Sequence, residues 1–193
     1  MTKCMHRRYL ILLPLIISLL ACGSRSHLTY YHDPDMDFAA IRTVAVLPFE
    51  NLTTDRLAGE RVRDILSNSL MATGAVYVLP SGEVARGIAR AGVVNPSTPS
   101  KEEMAKLAPI IKADGLITGV VTEYGEVRSG TATANVISFN LQMIEAQTQK
   151  VVWTGSTSQG GISVWDRLFG SGGKPMNDVV MAAIDDILGK LFK

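Results

Sequence analysis

The sequence predicts an α/β domain: a mixed, largely parallel sheet with helices on both faces, extended by an antiparallel hairpin. Three observations lead there. Short β-branched runs closed by proline recur at "TVAVLPF" (residues 43–49) and "VYVLP" (76–80), the pattern of strands buried on both faces. Stretches with apolar residues at helical spacing follow each run. Residues 131–145 then alternate, with Ile137, Phe139, Leu141 and Met143 between Ser138, Asn140 and Gln142, and a polar turn, "AQTQ", leads into "KVVWTGSTS".

The chain opens with a segment that is not part of the fold. Lys3, Arg7 and Arg8 precede an apolar run from Leu10 to Leu20, broken only by Ser18. A basic start and an apolar run of this length describe a secretory signal, since a membrane-spanning helix needs about 20 apolar residues. The run ends in Leu19-Leu20-Ala21-Cys22, which resembles the lipobox of bacterial lipoproteins. Cleavage between Ala21 and Cys22 is expected, with a diacylglycerol on the thiol and an acyl chain on the new amine. The two cysteines of the chain are Cys4, in the signal, and Cys22. The mature protein therefore has no thiol for a disulfide, for redox chemistry or for a zinc site. Gly23 stands where an aspartate often signals retention at the inner membrane, so the periplasmic face of the outer membrane is the expected location.

Of 193 residues, 19 are basic and 18 acidic, a formal charge of +1; loss of Lys3, Arg7 and Arg8 brings the mature chain to −2. No basic stripe remains for nucleic acid or anionic lipid. Residues 22–32 read as an acylated tether whose polar start cannot bury a core, and residues 33–193 as one domain. Tyr30 and Tyr31, at the end of the tether, are expected to dock on that domain, the alternative being contact with a partner.

Within the domain, residues 43–49 form the first strand. Asp55 is placed to cap a helix carrying Ala58, Val62, Ile65, Leu66 and Leu70, which Gly74 ends. A second helix starts at Ser81. Ser100 and Glu103 form a capping box for a third, with Met104, Leu107 and Ile111 on its apolar face. "GLITGVVTEYG" (115–125) is a third apolar strand, and residues 131–145 pair with 150–158 as the hairpin. Pro175 opens a last helix with a continuous apolar stripe from Met176 to Leu191.

The search for chemistry eliminates more than it finds. "HDPDMD" (32–37) has carboxylates at alternate positions, but a helix-loop-helix calcium site requires glycine sixth and glutamate twelfth, where Phe38 and Val44 stand. "GSGGK" (170–174) lacks the first glycine of a phosphate loop, and Pro175 replaces its hydroxyl residue. His6 leaves with the signal, while His27 and His32 lie in the tether, so no histidine serves a serine nucleophile. No metal or cofactor is expected. One informative feature is "ISVWDRLFG" (162–170), in which Trp165, Leu168 and Phe169 interrupt glycine-rich sequence. They either tuck into the core or present a surface to a partner or membrane.

Three stretches resemble one superfamily: "IRTVAVLPFENLTTDRLAGERVRDILSNSL", "ADGLITGVVTEYG" and "QMIEAQTQKVVWTGS". They are similar to the periplasmic domain shared by the curli-secretion lipoprotein CsgG, the amino-terminal domain of TolB and the synthase activator LpoB. The nearest likeness is to small neisserial-type lipoproteins once catalogued as DUF799, and it spans roughly residues 30 to 190. The resemblance implies an α/β fold of the TolB amino-terminal type and an envelope protein working through protein contacts, with no catalytic residue to carry over. The expected function is that of a non-enzymatic adaptor in secretion, transport or envelope assembly, bound to an envelope protein. One alternative is an oligomeric subunit of a CsgG-like secretion channel. Another is an envelope hydrolase with a carboxylate site formed only in three dimensions. Transmembrane strands of about 9–11 alternating residues are not offered by residues 162–175, which makes a self-sufficient pore doubtful.

Overall fold

The computed structural model describes residues 27–130, 132–162 and 173–191. Seven strands form one mixed sheet: β1 (His27–His32), β2 (Thr43–Val46), β3 (Glu50–Asn51), β4 (Tyr77–Val78), β5 (Gly115–Ser129), β6 (Ala132–Glu145) and β7 (Val151–Gly160). Among the described residues four α-helices accompany them: α1 (Ala58–Thr73), α2 (Ser81–Ala91), α3 (Lys101–Ile111) and α4 (Met176–Leu191). The strand order is β1-β7-β6-β5-β2-β4, with β3 also on β5.

The mixed α/β class is as the sequence predicts, but the balance of the sheet is not. β2 lies parallel to β4 and β5 through ladders of two and three residue pairs. The long ladders, β5 with β6, β6 with β7 and β1 with β7, are all antiparallel. The expected hairpin is the second of two: β5 and β6 pair from Gly115 opposite Glu145 to Ser129 opposite Ala132. The turn between them starts at Gly130, whose φ of 62° suits a residue without a Cβ.

Helices cover both faces, as expected. The larger core lies under α1 and α4 and joins Val62, Leu66 and Leu70 to Ile184 and Ile187 across Ile117, Phe139, Leu141 and Trp153. The smaller lies under α2 and α3, where Val84, Leu107 and Ile111 meet Ala45, Leu47, Leu116 and Ile144. The alternation of β6 has the expected outcome: Phe139, Leu141 and Met143 are buried, while Asn140 and Gln142 on the other face stay exposed.

Most punctuation falls where it was read. Gly74 ends α1 with φ 65°. Asp55 acts two positions before the cap residue Leu57, its Oδ1 accepting from the amide of Leu57 while Oδ2 pairs with Arg61 at 2.9 Å. The carbonyl of Pro175 is the first acceptor of α4, taking the amides of Asp178 and Val179. The capping box of α3 is complete: Ser100 Oγ accepts from the amide of Glu103 at 3.2 Å, and Glu103 Oε2 accepts from the amide of Ser100 at 2.8 Å.

The other carboxylate oxygen of Glu103 accepts from the amide of Val94 at 2.8 Å. Those two backbone donors, Val94 first and Ser100 second, hold the carboxyl of Glu103 below its ordinary range. A depressed carboxyl contributes stability at neutral pH, and that contribution disappears as pH falls through its folded value. Ser100→Ala should cost about 1 kcal/mol, which lowers the melting temperature of a domain this size by about 2–4 °C. In Glu103→Gln the deficit against wild type should be present at neutral pH and shrink in acid. A deficit independent of pH would mean that the ionised carboxylate is not the stabilising form.

Candidate functional site: a groove at the end remote from chain entry

Strand register divides the domain into two ends. At one, β1 begins, the β5–β6 hairpin projects and β7 finishes. At the other, β1 finishes, β2 and β4 begin, and α1 and α4 terminate. The second end holds an open groove of about 770 Å³, lined among others by His32, Met36, Phe38, Ile41, Arg42, Tyr77 and Leu191. That volume falls in the range of ligand and peptide sites.

Each wall has a local cause. Asp33 leaves β1 with its amide bonded to the Val152 carbonyl at 2.8 Å, and its Oδ1 accepts from Asp35, turning the chain back. Asp37 caps a single 3-10 turn (Phe38–Ala40) by accepting from the amide of Ala39. That turn brings the Phe38 ring onto His32, with centroids 4.0 Å apart and planes 29° apart. Two of the three acids of "HDPDMD", Asp33 and Asp37, are thus turn and cap residues. Asp114 fixes the floor: its Oδ2 accepts from the amides of Arg42 and Thr43, at 3.0 and 2.8 Å. The carbonyl of Arg42 in turn accepts from the amide of Tyr77 at 2.7 Å.

With its backbone held on both sides, Arg42 presents an exposed side chain that forms no salt bridge among the described residues. Tyr77 beside it is 62% exposed, on an edge strand of two residues that pairs with β2 on one side only. An open apolar trough, a free guanidinium and a presented phenol can hold an extended segment by its side chains and one carboxylate. Among the described residues, Asp37 is the one carboxylate lining the groove and Asp64 the one lining a second cavity along α1, so the described lining of neither holds the acid pair that a hydrolase would use. Among the described residues no cluster of three His, Cys, Asp or Glu side chains is close enough to hold a metal.

The residues singled out in the sequence fall elsewhere. Leu19, Leu20, Ala21 and Cys22, and likewise Trp165, Leu168 and Phe169, lie outside the described residues. Tyr30 and Tyr31 do not dock on the core. They belong to β1, so the tether expected to run to His32 gives way to sheet at His27, and they are 53% and 50% exposed. The reason is period two on an edge strand: neighbours point to opposite faces. Tyr30 flanks α4, with Lys190 Nζ 5.9 Å from its ring centroid, and Tyr31 lies on the face without α4. The groove itself was missed. Its walls come from three separated parts of the chain, and Arg42 and Tyr77 carried no motif.

Comparison with known proteins adds the family. The GNA1162-like lipoprotein family matches residues 35–191. No curated protein matches the chain. Among solved structures, the PelC dodecamer from Paraburkholderia phytofirmans superposes with a TM-score of 0.58 at 18% identity, over 86% of this chain and 97% of that one. Lipoprotein GNA1162 from Neisseria meningitidis gives 0.56 at 18% identity, over 77% and 99%. The protein CT253 from Chlamydia trachomatis gives 0.50 at 15% identity, over 78% and 95%. At such identities the likeness speaks for the fold.

Proposed function

The chain belongs to the GNA1162-like lipoprotein family, and from that premise we propose that it is a non-enzymatic adaptor, acylated on Cys22 and held on the periplasmic face of the outer membrane. No helix among the described residues is long and apolar enough to cross a membrane, so the acyl chains would be the attachment. The wider kinship to CsgG, the TolB amino-terminal domain and LpoB, and to the DUF799 lipoproteins, is part of this proposal. Secretion, transport and envelope assembly are the processes it suggests.

The observation that carries the reading is the groove beside Arg42 and Tyr77. It is apolar, open and free of a catalytic pair, and it lies at the end away from chain entry. Its occupant would be an extended segment of an envelope protein bearing a carboxylate for Arg42. The test places a photo-crosslinking side chain at Tyr77 in the acylated protein in intact cells. One dominant foreign protein, lost in Arg42→Glu, is the expected product. Absence of any adduct would remove the groove as a docking site.

A second reading has its own support. PelC of this fold is a dodecamer, and a ring of this chain would serve a secretion channel as a component. It predicts a detergent-stable oligomer by native mass spectrometry, and a monomer in mild detergent would count against it.

A further inference from the structure

Where the chain enters the sheet determines how the domain stands on a membrane. His27 pairs with Ser158, Ser158 faces Ser138, and Ser138 faces Glu123, so β1 begins at the level of Glu123 on β5. β5 and β6 do not stop there. They continue as a paired arm, Tyr124–Ser129 against Ala132–Ile137, after a bulge between Val121 and Glu123. Six residues per strand at about 3.3 Å carry this arm about 20 Å beyond the entry point. From Cys22 to His27 there are five Cα steps, at most about 17 Å when fully extended.

The tether is thus no longer than the arm. Resting on the reading that Cys22 is acylated, we propose that the arm tip, Val127 to Gly130 with Thr133, sits in the headgroup layer of the bilayer that receives the acyl chains. An anchor this short cannot lower the domain far enough to clear a projection that starts at the same level and reaches as far. The chemistry of the tip agrees with headgroups rather than with hydrocarbon. Glu126 and Arg128 form an exposed ion pair at 3.1 Å, the arginine side chain 77% accessible. Ser129 is a further polar group there, exposed at the tip. The arm is also shorter than the about 9–11 residues a strand needs to cross a bilayer. It is a foot, and the bulge beneath it, which bends and twists a strand, sets its angle. A domain standing on this foot turns the groove of Arg42 and Tyr77 away from the membrane.

The acylated mature protein has no free thiol, so one introduced cysteine can be labelled alone. Ser129→Cys at the tip and Lys150→Cys in the turn at the opposite end would each carry a fluorophore. The labelled proteins are reconstituted on phosphatidylethanolamine–phosphatidylglycerol vesicles with a nitroxide on the lipid headgroup. Several-fold stronger quenching at Ser129→Cys than at Lys150→Cys is the expected result, and Thr133→Cys should repeat it if the first label disturbs the turn. Equal quenching at both ends, or none at either arm position in protein that sediments with the vesicles, would overturn the foot and leave the anchor standing. Protein whose intact mass shows no acyl chain, and which stays in the supernatant, would remove anchor and foot together.

Discussion

Trp153→Ala should be among the most destabilising single changes in the domain, costing about 3–5 kcal/mol. Trp153 is 1% exposed near the start of β7, beneath α4, and is the largest side chain buried to that degree among the described residues. Its ring passes over Gly155, where a Cβ would come within 2.8 Å of Trp153 Cη2 and 2.6 Å of Ile187 Cγ1. The indole nitrogen has no hydrogen-bond partner among the described residues, so truncation forfeits packing rather than a hydrogen bond. That loss is the transfer of the indole to water plus the cavity left beneath Ile187. Equilibrium urea unfolding of the soluble domain would show the midpoint move with little change in slope.

The same geometry predicts a coupling. Gly155→Ala alone should destabilise by about 1–3 kcal/mol through overpacking, although alanine is the better residue in a strand. With Trp153 shortened, one of the two clashes disappears, so the double variant should be less unstable than the two losses added, by about 0.5 kcal/mol or more. Strict additivity would mean that Trp153 and Gly155 are not packed against each other as described.

These packing relations mark the limit of what the sequence discloses. Gly74, the Ser100–Glu103 box and Pro175 were legible because a cap is a contract between residues at most a few positions apart. The stripe of α4 and the alternation of β6 were legible because burial on one face imposes a period. β1 was not. "HLTYYH" pairs with residues 153–158, more than a hundred positions away, and nothing local distinguishes an edge strand from a tether that carries two tyrosines. The β5–β6 arm was missed for a related reason. Beyond Val121 its β5 strand leaves little side chain to bury, with Glu123, Glu126 and Arg128 all exposed, so no apolar period signals it. The parallel emphasis of the expected sheet followed from counting strand–helix alternations, whereas ladder length is set by the two hairpins. The groove is the extreme case: residues 32–42, 74–77 and 191 meet only because β1 ends where β2 and β4 begin.

Cys22→Ala should separate the protein from the membrane altogether, and this is the largest functional effect to expect. Each buried CH₂ of an acyl chain contributes about 0.8 kcal/mol, and a single myristoyl chain gives only reversible binding, about 10⁴ M⁻¹. Two or three chains make dissociation negligible, so the predicted change is from full retention to none. The uncleaved signal could itself hold a precursor in the inner membrane, and the measurement has to exclude that. Expressed behind a signal cleaved without acylation, the variant should be soluble in the periplasm, take up no palmitate analogue and unfold like the wild-type domain. Wild type should lose 21 residues, gain the mass of its acyl chains and follow the outer membrane. Label uptake by the variant would place the lipid elsewhere on the chain. A soluble variant that still yields the Tyr77 adduct would show that the anchor sets where the groove is presented and the groove alone sets what it binds. Loss of both would mean that the groove meets its partner only while the anchor holds the domain at the membrane.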